Sequence, residues 1–437
     1  MRLLVISFAF PPFNSIGAVR VAKTAKYLSR FGHDIRVLTA SEQPFRQTLP
    51  VELPSEQIIY SKWFTLRRSP PNQRIAESKP AINGHANSQS GGRLLPALKN
   101  AVGYSFKNLF DFPDSNIGWL PYAVAEGSRL WETWKPDLIL ASSPPPTSLL
   151  VAYRLSKKFR VPWVADLRDL WMDHSYYDPP RWRKLMEGKL ERRVLTSAAG
   201  IVTVSEPLAG VLKRKYGVDA AVVLNGFDQA DYPEHSRSPS SDGIVRILYT
   251  GMIYPGKRDP SPLLEALALL GPRVEKVRVI FHGSFLESVK PLIARFGVQH
   301  LVEVNEPVSY KESLRMQTEA DVLLLLLGSG PTELGVYTGK LFEYIGARRP
   351  ILAIGNVDSA AAKLIQQRRV GLVVNDPAQI AAELKRLIAQ KQETGSVPGL
   401  TADVTKGISR EEQTKILEGY LLEVMASGTS NEPINVG

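Results

Sequence analysis

The sequence predicts an α/β fold made of two doubly wound halves. Short apolar runs that suit buried parallel strands alternate with segments of helical spacing, first from residue 3 and again from residue 246. Between the two series lies a stretch rich in Pro, Ser and charge, at residues 231–243, which is typical of an inter-domain linker. A chain of 437 residues is long enough for two or three domains.

The first half opens with a strand–helix–strand unit. Leu3–Phe8 is an apolar run interrupted only by Ser7, Val19–Phe31 has helical spacing, and Ile35–Leu38 is apolar with Arg36 inside it. Gly32 stands where a glycine commonly ends a helix. Such a unit implies a parallel sheet. Further strands are predicted at Leu138–Ala141, Trp163–Asp166, Gly200–Val204 and Ala221–Leu224, with helices at Thr147–Phe159, Arg181–Ala198 and Glu206–Gly217.

The second half repeats this alternation. Ligands of doubly wound sheets bind at the carboxyl ends of the strands, so two such halves are expected to hold one ligand in the cleft between them. Strands are predicted at Ile247–Tyr249, Val277–Phe281, Val302–Val304, Val322–Leu327, Ile351–Ile354 and Gly371–Val374. Helices are predicted at Pro262–Leu270, Tyr310–Glu319, Lys340–Gly346, Ser359–Gln367, Pro377–Gln390 and Ser409–Met425.

These elements predict a domain at residues 1–228 and a second at 245–405, joined by a linker at 229–244. A helical segment at 406–426 and a frayed tail at 427–437 follow.

Residues 41–112 break the alternation of the first half. The segment is rich in proline and contains the polar run Asn83–Gly92, which predicts a long, mobile insertion. Within it, Leu94–Phe112 mixes apolar and basic side chains. That pattern suits either an amphipathic helix lying on a membrane or an ordinary helix docked on the domain.

Composition excludes several classes of protein. The chain has no cysteine, so disulfides, thiolate zinc sites, Fe–S clusters and a cysteine nucleophile are ruled out. The apolar run Val322–Leu327 is far shorter than a membrane-spanning helix requires. Leu3–Phe10 is followed by two prolines and no small-residue cleavage site, so we interpret it as a strand rather than a signal peptide. The expected location is the cytoplasm.

The net charge of +11 points to anionic partners. An anionic membrane surface, phosphorylated substrates and a merely basic solvated surface all fit this charge. Nucleic acid is not expected, because the chain has no long Lys/Arg block and no nucleic-acid-binding motif. The six histidines show no metal-ligand spacing. Asp166, Asp169 and Asp173 could suggest a carboxylate metal site, but no D-x-D motif is present, and we do not expect a metal there.

Six segments in order along the chain resemble one enzyme family: FAFPPFNSIGAVR, WVADLRDLW, VTVSEPLAGVLKRKYG, VLNGFD, LYTGMIYPGKRDP and GKLFEYIGARRPILAIG. The chain resembles the retaining glycosyltransferases of the GT-B fold, family 4, in the branch with a Lys-Leu-Phe-Glu-Tyr motif, over nearly its whole length except roughly 41–112. The resemblance implies two Rossmann-like domains facing across a cleft, with the C-terminal helix returning to the N-terminal domain. It also implies a nucleoside diphosphate (NDP) sugar as co-substrate, no cofactor and no metal requirement.

The loop after the first strand of the second half is a candidate diphosphate site. Lys257 and Arg258 follow Gly251 there, and two cations can neutralise the charge that grows on a departing diphosphate. The resemblance makes both residues catalytic and donor-binding and adds Gly251 to the donor site. The family carries an Arg and a Lys around this loop, whereas Met252 stands directly after Gly251 here. The alternative is a solvated basic turn.

The segment GKLFE, at 339–343, gives the most information about the donor-binding site. A carboxylate can accept hydrogen bonds from two adjacent ribose hydroxyls, and a lysine at a helix N-terminus can reach a phosphate. Many family members carry a pair of glutamates here, spaced E-x7-E; Gly335 stands in place of the first, and Glu333 lies two residues further back. A surface charge at a helix start is the alternative. The donor-binding residues expected here are Gly339, Lys340, Leu341 and Glu343.

The first half offers the acceptor side. In the loop at 10–20, Gly17 lets backbone approach a ligand next to a helix N-terminus, and the resemblance places this loop by the donor diphosphate and the acceptor. Ser142, Asp166, Arg168 and Asp169 lie at two strand ends and are the acceptor-binding candidates, with Asp169 also a catalytic one. Many members carry a histidine where Ser142 and Ser143 stand. Ordinary turns and a stabilising Arg–Asp pair are the alternatives.

The function that the resemblance implies is transfer of a sugar, of hexosyltransferase type and with retention, from an NDP-sugar to a lipid-linked or growing saccharide in surface polysaccharide biosynthesis. The enzyme is then expected in the cytoplasm, with the inner face of the cytoplasmic membrane as a further partner. Two alternatives stay open at this point. One is a nucleotide-sugar epimerase of the same architecture. The other is a non-catalytic sugar-nucleotide binder, because the family's histidine, one arginine and first glutamate are absent.

Overall fold

The structure, a computed structural model, contains a seven-stranded and a six-stranded β-sheet with flanking helices. Every strand pairing described is parallel. The structure describes residues 1–43, 46–64, 111–173, 179–233, 239–253, 256–328, 330 and 333–429.

The chain divides into two compact units. The first comprises Met1–Thr203, Leu212–Ala221 and the C-terminal stretch from Leu417; the second comprises Val204–Val211 and Val222–Ile416. Within the described ranges, no helix combines the length and the apolar character that a membrane span requires.

The first sheet has the strand order β3-β2-β1-β4-β5-β6-β7. Its strands are β1 (Arg2–Ile6), β2 (Asp34–Ala40), β3 (Ile58–Ser61), β4 (Leu138–Ser143), β5 (Trp163–Leu167), β6 (Gly200–Thr203) and β7 (Ala220–Val222). The accompanying helices are α1 (Ile16–Arg30), α2 (Leu120–Thr133), α3 (Thr147–Phe159), α4 (Arg181–Leu195) and α5 (Glu206–Tyr216).

The second sheet has the order β10-β9-β8-β11-β12-β13. Its strands are β8 (Val245–Thr250), β9 (Val277–His282), β10 (Val302–Asn305), β11 (Val322–Leu326), β12 (Ile351–Ile354) and β13 (Gly371–Val373). The helices are α6 (Ser261–Ala268), α7 (Lys290–Phe296), α8 (Tyr310–Glu319), α9 (Gly339–Gly346), α10 (Ala360–Arg368), α11 (Pro377–Thr394) and α12 (Arg410–Thr429).

Strand β11 shows why the apolar runs become buried parallel strands. Side chains of a strand alternate between the two faces of its sheet. Leu324 packs into one hydrophobic cluster and its neighbours Leu323 and Leu325 into another. Both faces of this strand are therefore covered, which explains a continuous apolar run rather than an alternating one.

The helix ends follow local rules. The Ser15 hydroxyl accepts a hydrogen bond from the backbone N–H of Ala18 and so caps α1. At the other end Gly32 has a φ of 91°, which confirms the predicted glycine beyond the helix.

The last helix, α12, contributes to both units, and its residues from Leu417 belong to the first. Within that unit the Tyr420 hydroxyl accepts a hydrogen bond from the N–H of Ile201 at 3.1 Å, and Glu418 lies 2.7 Å from His33. The predicted return of the C-terminal helix to the N-terminal part of the chain is therefore present.

Two expectations for the region between β2 and β4 need correction. The predicted insertion at 41–112 begins with structured residues, because Ile58–Ser61 forms β3 and pairs with β2 at the edge of the sheet. Helix α2 was not expected from the sequence pattern. The predicted helix Leu94–Phe112 lies outside the described residues except for Asp111 and Phe112, which form a turn.

Candidate functional sites

The strand order of the second sheet reverses between β8 and β11. At such a switch point the loops that follow the two strands diverge, which leaves a crevice at their carboxyl ends. Strand β8 runs into Gly251 and the turn with Lys257 and Arg258, whereas β11 leads to α9. The two donor-side segments predicted from the sequence thus meet at one end of one sheet. We call these residues the switch-point site.

The closest approach in this site joins Gly251 to Lys340, on the first turn of α9. A Cβ atom on Gly251 would lie 2.4 Å from Cε and 2.7 Å from Nζ of Lys340. Gly251 also has a φ of 120°, which side chains other than glycine rarely adopt. Only glycine therefore leaves room for the lysine, whose ammonium lies 5.2 Å from the centre of the Tyr249 ring.

The surroundings of Lys340 disfavour its protonated, positively charged form. Burial, together with the nearby charge of Arg258, lowers the pKa of Lys340 to about 7, against an opposing attraction from Glu343. Arg258, Lys340 and Glu343 therefore lie close enough to interact. A concentration of cations at a strand end is what a diphosphate requires.

Glu343 lies about one turn after Lys340 on α9. Burial raises the pKa of its carboxyl group, and a hydrogen bond from Gln317 and the charge of Lys340 offset this only in part. The Gln317 side-chain amide donates to Glu343 Oε2 at 3.4 Å, and the Tyr232 hydroxyl donates to the Glu343 carbonyl at 2.6 Å. Gln317 thus contacts the carboxylate itself, whereas Tyr232 fixes the backbone of the same residue.

The N-terminus of α9 keeps part of its hydrogen-bonding capacity. Thr338 occupies the N-cap position, but its hydroxyl does not cap the helix. In the part of the chain that the structure describes, the buried Thr338 Oγ1 has no hydrogen-bond partner. Gly339 is the first helical residue, so the first turn can offer N–H groups to an anion.

Leu341, a predicted donor-site residue, has its side chain in the core. Its side chain is fully buried in the hydrophobic cluster beneath the sheet, and its N–H donates to the Thr338 carbonyl. The Leu341 side chain therefore anchors α9, and its contact with the donor stays a prediction.

Glu333 and Gly335 occupy different surroundings. Glu333 is buried, and its Oε2 would lie 2.6 Å from a Cβ atom on Gly328, just beyond the end of β11. Gly335 packs instead against Leu208 and Pro207. Glu333 thus places a carboxyl group near this strand end, two residues before the position that the family pattern predicts.

The first sheet has its own switch point, between β1 and β4. Gly17, in the first turn of α1, faces the Arg168 guanidinium: a Cβ atom there would lie 2.5 Å from Nη2. Arg168 Nη2 also donates to the Pro144 carbonyl at 2.8 Å. The loop after β1 and the end of β5, predicted separately, therefore meet.

Asp166 is the centre of a buried network at the same switch point. Arg20 donates to both of its carboxylate oxygens, at 3.2 and 2.8 Å, and the Ser142 hydroxyl donates at 2.9 Å. Burial alone would raise the pKa of Asp166, but the charge and hydrogen bonds of Arg20 and that of Ser142 outweigh it and lower the pKa. Asp166 and Ser142 thus hold this end of the sheet together.

Asp169 follows two residues after the end of β5 and is only partly buried. Its charge acts on Arg168 and favours the protonated guanidinium. Of the predicted acceptor-side carboxylates, Asp169 is the one more open to a ligand.

Sequence reasoning missed two residues of these sites, Arg20 and Gln317. Arg20 is the last residue of the FAFPPFNSIGAVR segment, so its position inside a recognised motif was an available signal. Gln317 lies on α8, whose polar pattern gives no hint that its amide turns inward to Glu343.

Comparisons with known proteins bear on the fold. Residues 17–226 match the family model of a glycosyl transferase 4-like domain. HepE from Anabaena, in complex with UDP, is similar over 98% of this chain and 100% of its own, at 15% identity and a TM-score of 0.61. A glycosyltransferase from Rickettsia africae is similar over 98% of both chains, at 16% identity and a TM-score of 0.58.

The fold is the GT-B fold. Sucrose-phosphate synthase from Thermosynechococcus elongatus shares it, at 13% identity, a TM-score of 0.57 and 98% coverage of both chains. A search of curated protein sequences gives no significant match. The predicted α/β class with two Rossmann-like sheets is therefore confirmed.

Proposed function

We propose that the protein is a glycosyltransferase that moves a sugar from an NDP-sugar to an acceptor hydroxyl, with retention of configuration. One observation carries the proposal: Lys340 is packed against Gly251 at the switch point of the second sheet, with Arg258 and Glu343 near it. Cations, N–H groups of a helix N-terminus and a carboxylate meet there. That set matches the diphosphate and the ribose of a nucleotide sugar.

The diphosphate would be bound by Lys340 and Arg258 together with the first turn of α9. As the bond between the anomeric carbon and the phosphate oxygen breaks, negative charge grows on that oxygen, and these groups stabilise it. Lys257, in the same turn as Arg258, adds long-range attraction. Because cationic side chains supply this role, transfer should not require a divalent metal, and EDTA should leave the rate unchanged.

Glu343 would accept hydrogen bonds from the two ribose hydroxyls of the donor. Gln317 and the backbone contact from Tyr232 hold it in position before the ligand arrives, which reduces the entropy lost on binding. Glu333, at the end of β11, is the carboxylate closest in the chain to the position expected to contact the donor sugar.

The first unit would bind the acceptor around Gly17, Arg168 and Asp169. Asp166 has a lowered pKa and both oxygens engaged, so it acts as a positioning residue. In a retaining transfer of this kind, the acceptor hydroxyl attacks the anomeric carbon while its proton passes to the leaving phosphate oxygen. Asp169 would then orient the acceptor.

The structural neighbours suggest which compounds to test first. HepE was crystallised with UDP, with UDP and glucose, and with UDP-glucose, so uridine nucleotide sugars come first. The lipopolysaccharide outer core galactosyltransferase WaaB shares the fold, at a TM-score of 0.54. That neighbour supports a lipid-linked or growing surface saccharide as the acceptor.

A donor screen followed by a product assay tests the proposal. Calorimetry with UDP- and GDP-sugars should identify one that binds, and turnover with saccharide acceptors should follow. Lys340→Met and Glu343→Gln should each weaken binding markedly, whereas Lys363→Met, at an exposed position of the same unit, should not.

Three results would contradict the proposal in different ways. Absence of binding to any nucleotide sugar would remove it. Binding without turnover would favour a non-catalytic binder. Conversion of the donor sugar without any acceptor would favour an epimerase.

A further inference from the structure

Helix α4 of the first unit turns both of its acidic residues inward. Glu187 and Glu191 are almost fully buried. Glu187 accepts a hydrogen bond from Arg183 Nε at 2.6 Å, and Glu191 accepts one from Lys215 at 2.9 Å. Because these carboxylates point into the protein, the exposed side of α4 carries no acidic residue.

The exposed side of α4 combines large apolar side chains with cations. Trp182, Leu185 and Met186 are 40%, 69% and 53% exposed. They lie three and four positions apart and therefore share one face of the helix. The exposed cations of the helix are Arg181, Lys184, Lys189, Arg192 and Arg193.

The basic character continues onto the neighbouring helix α3, which contains no acidic residue. Arg193 Nε donates to the hydroxyl of Tyr153 on α3 at 3.1 Å, which joins the two helices. The end of α3 adds the exposed residues Arg154, Lys157, Lys158 and Arg160. We call the exposed side chains of α3 and α4 the basic–apolar face.

An open groove borders this face between α2 and α3. Its volume is about 400 Å³. Helix α2 lies on the far side of the groove. It carries the acidic residues Glu126, which is paired with Arg129, and Glu132. The groove is lined by Leu120, Pro121, Val124, Arg154 and Lys158.

We propose that the basic–apolar face docks the protein on an anionic lipid bilayer. The cations complement acidic headgroups, and the three apolar side chains of α4 can insert among the acyl chains. The apolar residues favour a bilayer over an acidic polymer, because a polymer would neutralise the charges and leave Leu185 and Met186 in water.

This inference goes beyond the proposed function and does not depend on it. It also assigns membrane contact to a part of the first unit other than the predicted helix 94–112, which lies outside the described residues. Binding to vesicles can be measured with no donor or acceptor present, so it can fail while sugar transfer holds.

Co-sedimentation of the full chain with vesicles tests the proposal. The vesicles are phosphatidylcholine alone or phosphatidylcholine with about 30% phosphatidylglycerol. The wild-type protein should bind the anionic vesicles and release from them as salt is raised. Lys184→Gln with Lys189→Gln should weaken binding roughly fivefold per charge removed. The triple variant Trp182→Ser, Leu185→Ser and Met186→Ser should weaken it by at least about tenfold.

A matched pair, Lys276→Gln with Lys363→Gln, removes the same charge from exposed positions of the second unit and should change binding less than about twofold. Circular dichroism and the melting temperature check that each variant folds. If the triple variant does not fold, Leu185→Ser alone makes the same test at the most exposed apolar position of α4.

Three outcomes would overturn the proposal. The first is equal binding to neutral and anionic vesicles, or no binding at all. The second is an equal loss of binding in the matched pair, since the face would then have no special role. The third is wild-type binding by the variant without the apolar side chains, because the ligand would then be any polyanion, such as heparin, and not a bilayer.

Discussion

Lys340 makes the affinity for the donor depend on pH in a predictable direction. In the unliganded site its pKa is about 7, because burial and Arg258 disfavour the charged form. A bound diphosphate would restore the pKa toward the ordinary value of 10.5. Since binding raises this pKa, the affinity for the donor is highest below pH 7, where Lys340 is already protonated, and falls as the pH rises above 7.

The size of the effect follows from the protonated fraction of Lys340. That fraction is about one half at pH 7 and about one hundredth at pH 9, so the dissociation constant should rise roughly fiftyfold between them. Binding should take up about half a proton at pH 7 and about nine tenths of a proton at pH 8. Titration calorimetry in pairs of buffers with different ionisation enthalpies measures both quantities, with the nucleotide sugar that the donor screen selects.

Lys340→Arg is the matched control. An arginine keeps the positive charge and does not titrate in this range, so its affinity should be nearly constant from pH 7 to 9. Lys340→Met should bind weakly at every pH. The reasoning is refuted if the wild-type protein takes up no proton on binding, or if Lys340→Arg keeps the same pH dependence.

Three further substitutions test the sites. Gly251→Ala should weaken donor binding, measured by calorimetry, at least about tenfold, because the new Cβ would clash with Lys340 and the φ of residue 251 is positive. Gly243 also has a positive φ but open space around it, so the Gly243→Ala variant should bind the donor normally. Glu343→Gln should weaken donor binding about tenfold to a hundredfold, since charged hydrogen bonds to the ribose are lost. If the variant bound the donor as tightly as the wild-type protein, Glu343 would not bind the ribose. Asp166→Asn should lower the free energy of unfolding in urea by about 3–5 kcal/mol, because the buried Arg20 guanidinium loses the negative charge of the carboxylate that it contacts. The exposed Asp358→Asn should change this free energy by less than about 0.5 kcal/mol.

The fold was predictable because most of its strands are recognisable from short stretches of the sequence. Runs such as Val322–Leu327 are apolar throughout, since both faces of β11 are covered. Strand β3 was missed because Ile58–Ser61 is short and lies in a proline-rich region; it forms because β2 offers an unpaired edge. Helix α2 was missed for a similar reason, as Pro121 and Gly127 weaken its helical signal.

The candidate site was predictable only in its main residues. The rule that ligands bind at strand ends brought Gly251 and Lys340 together, although they lie far apart in the chain. The contacts of Arg20 and Gln317 depend on how helices pack across the sheets, and no local pattern encodes that. The burial of the Leu341 side chain was not predicted, because a motif does not say which of its side chains point into the core.

A crystal structure of the protein with UDP would test the central claim most directly. The account predicts that the diphosphate lies against Lys340 Nζ and the first turn of α9, with the ribose hydroxyls donating to Glu343. A nucleotide bound away from the switch point of the second sheet, or bound there with its ribose far from Glu343, would contradict it.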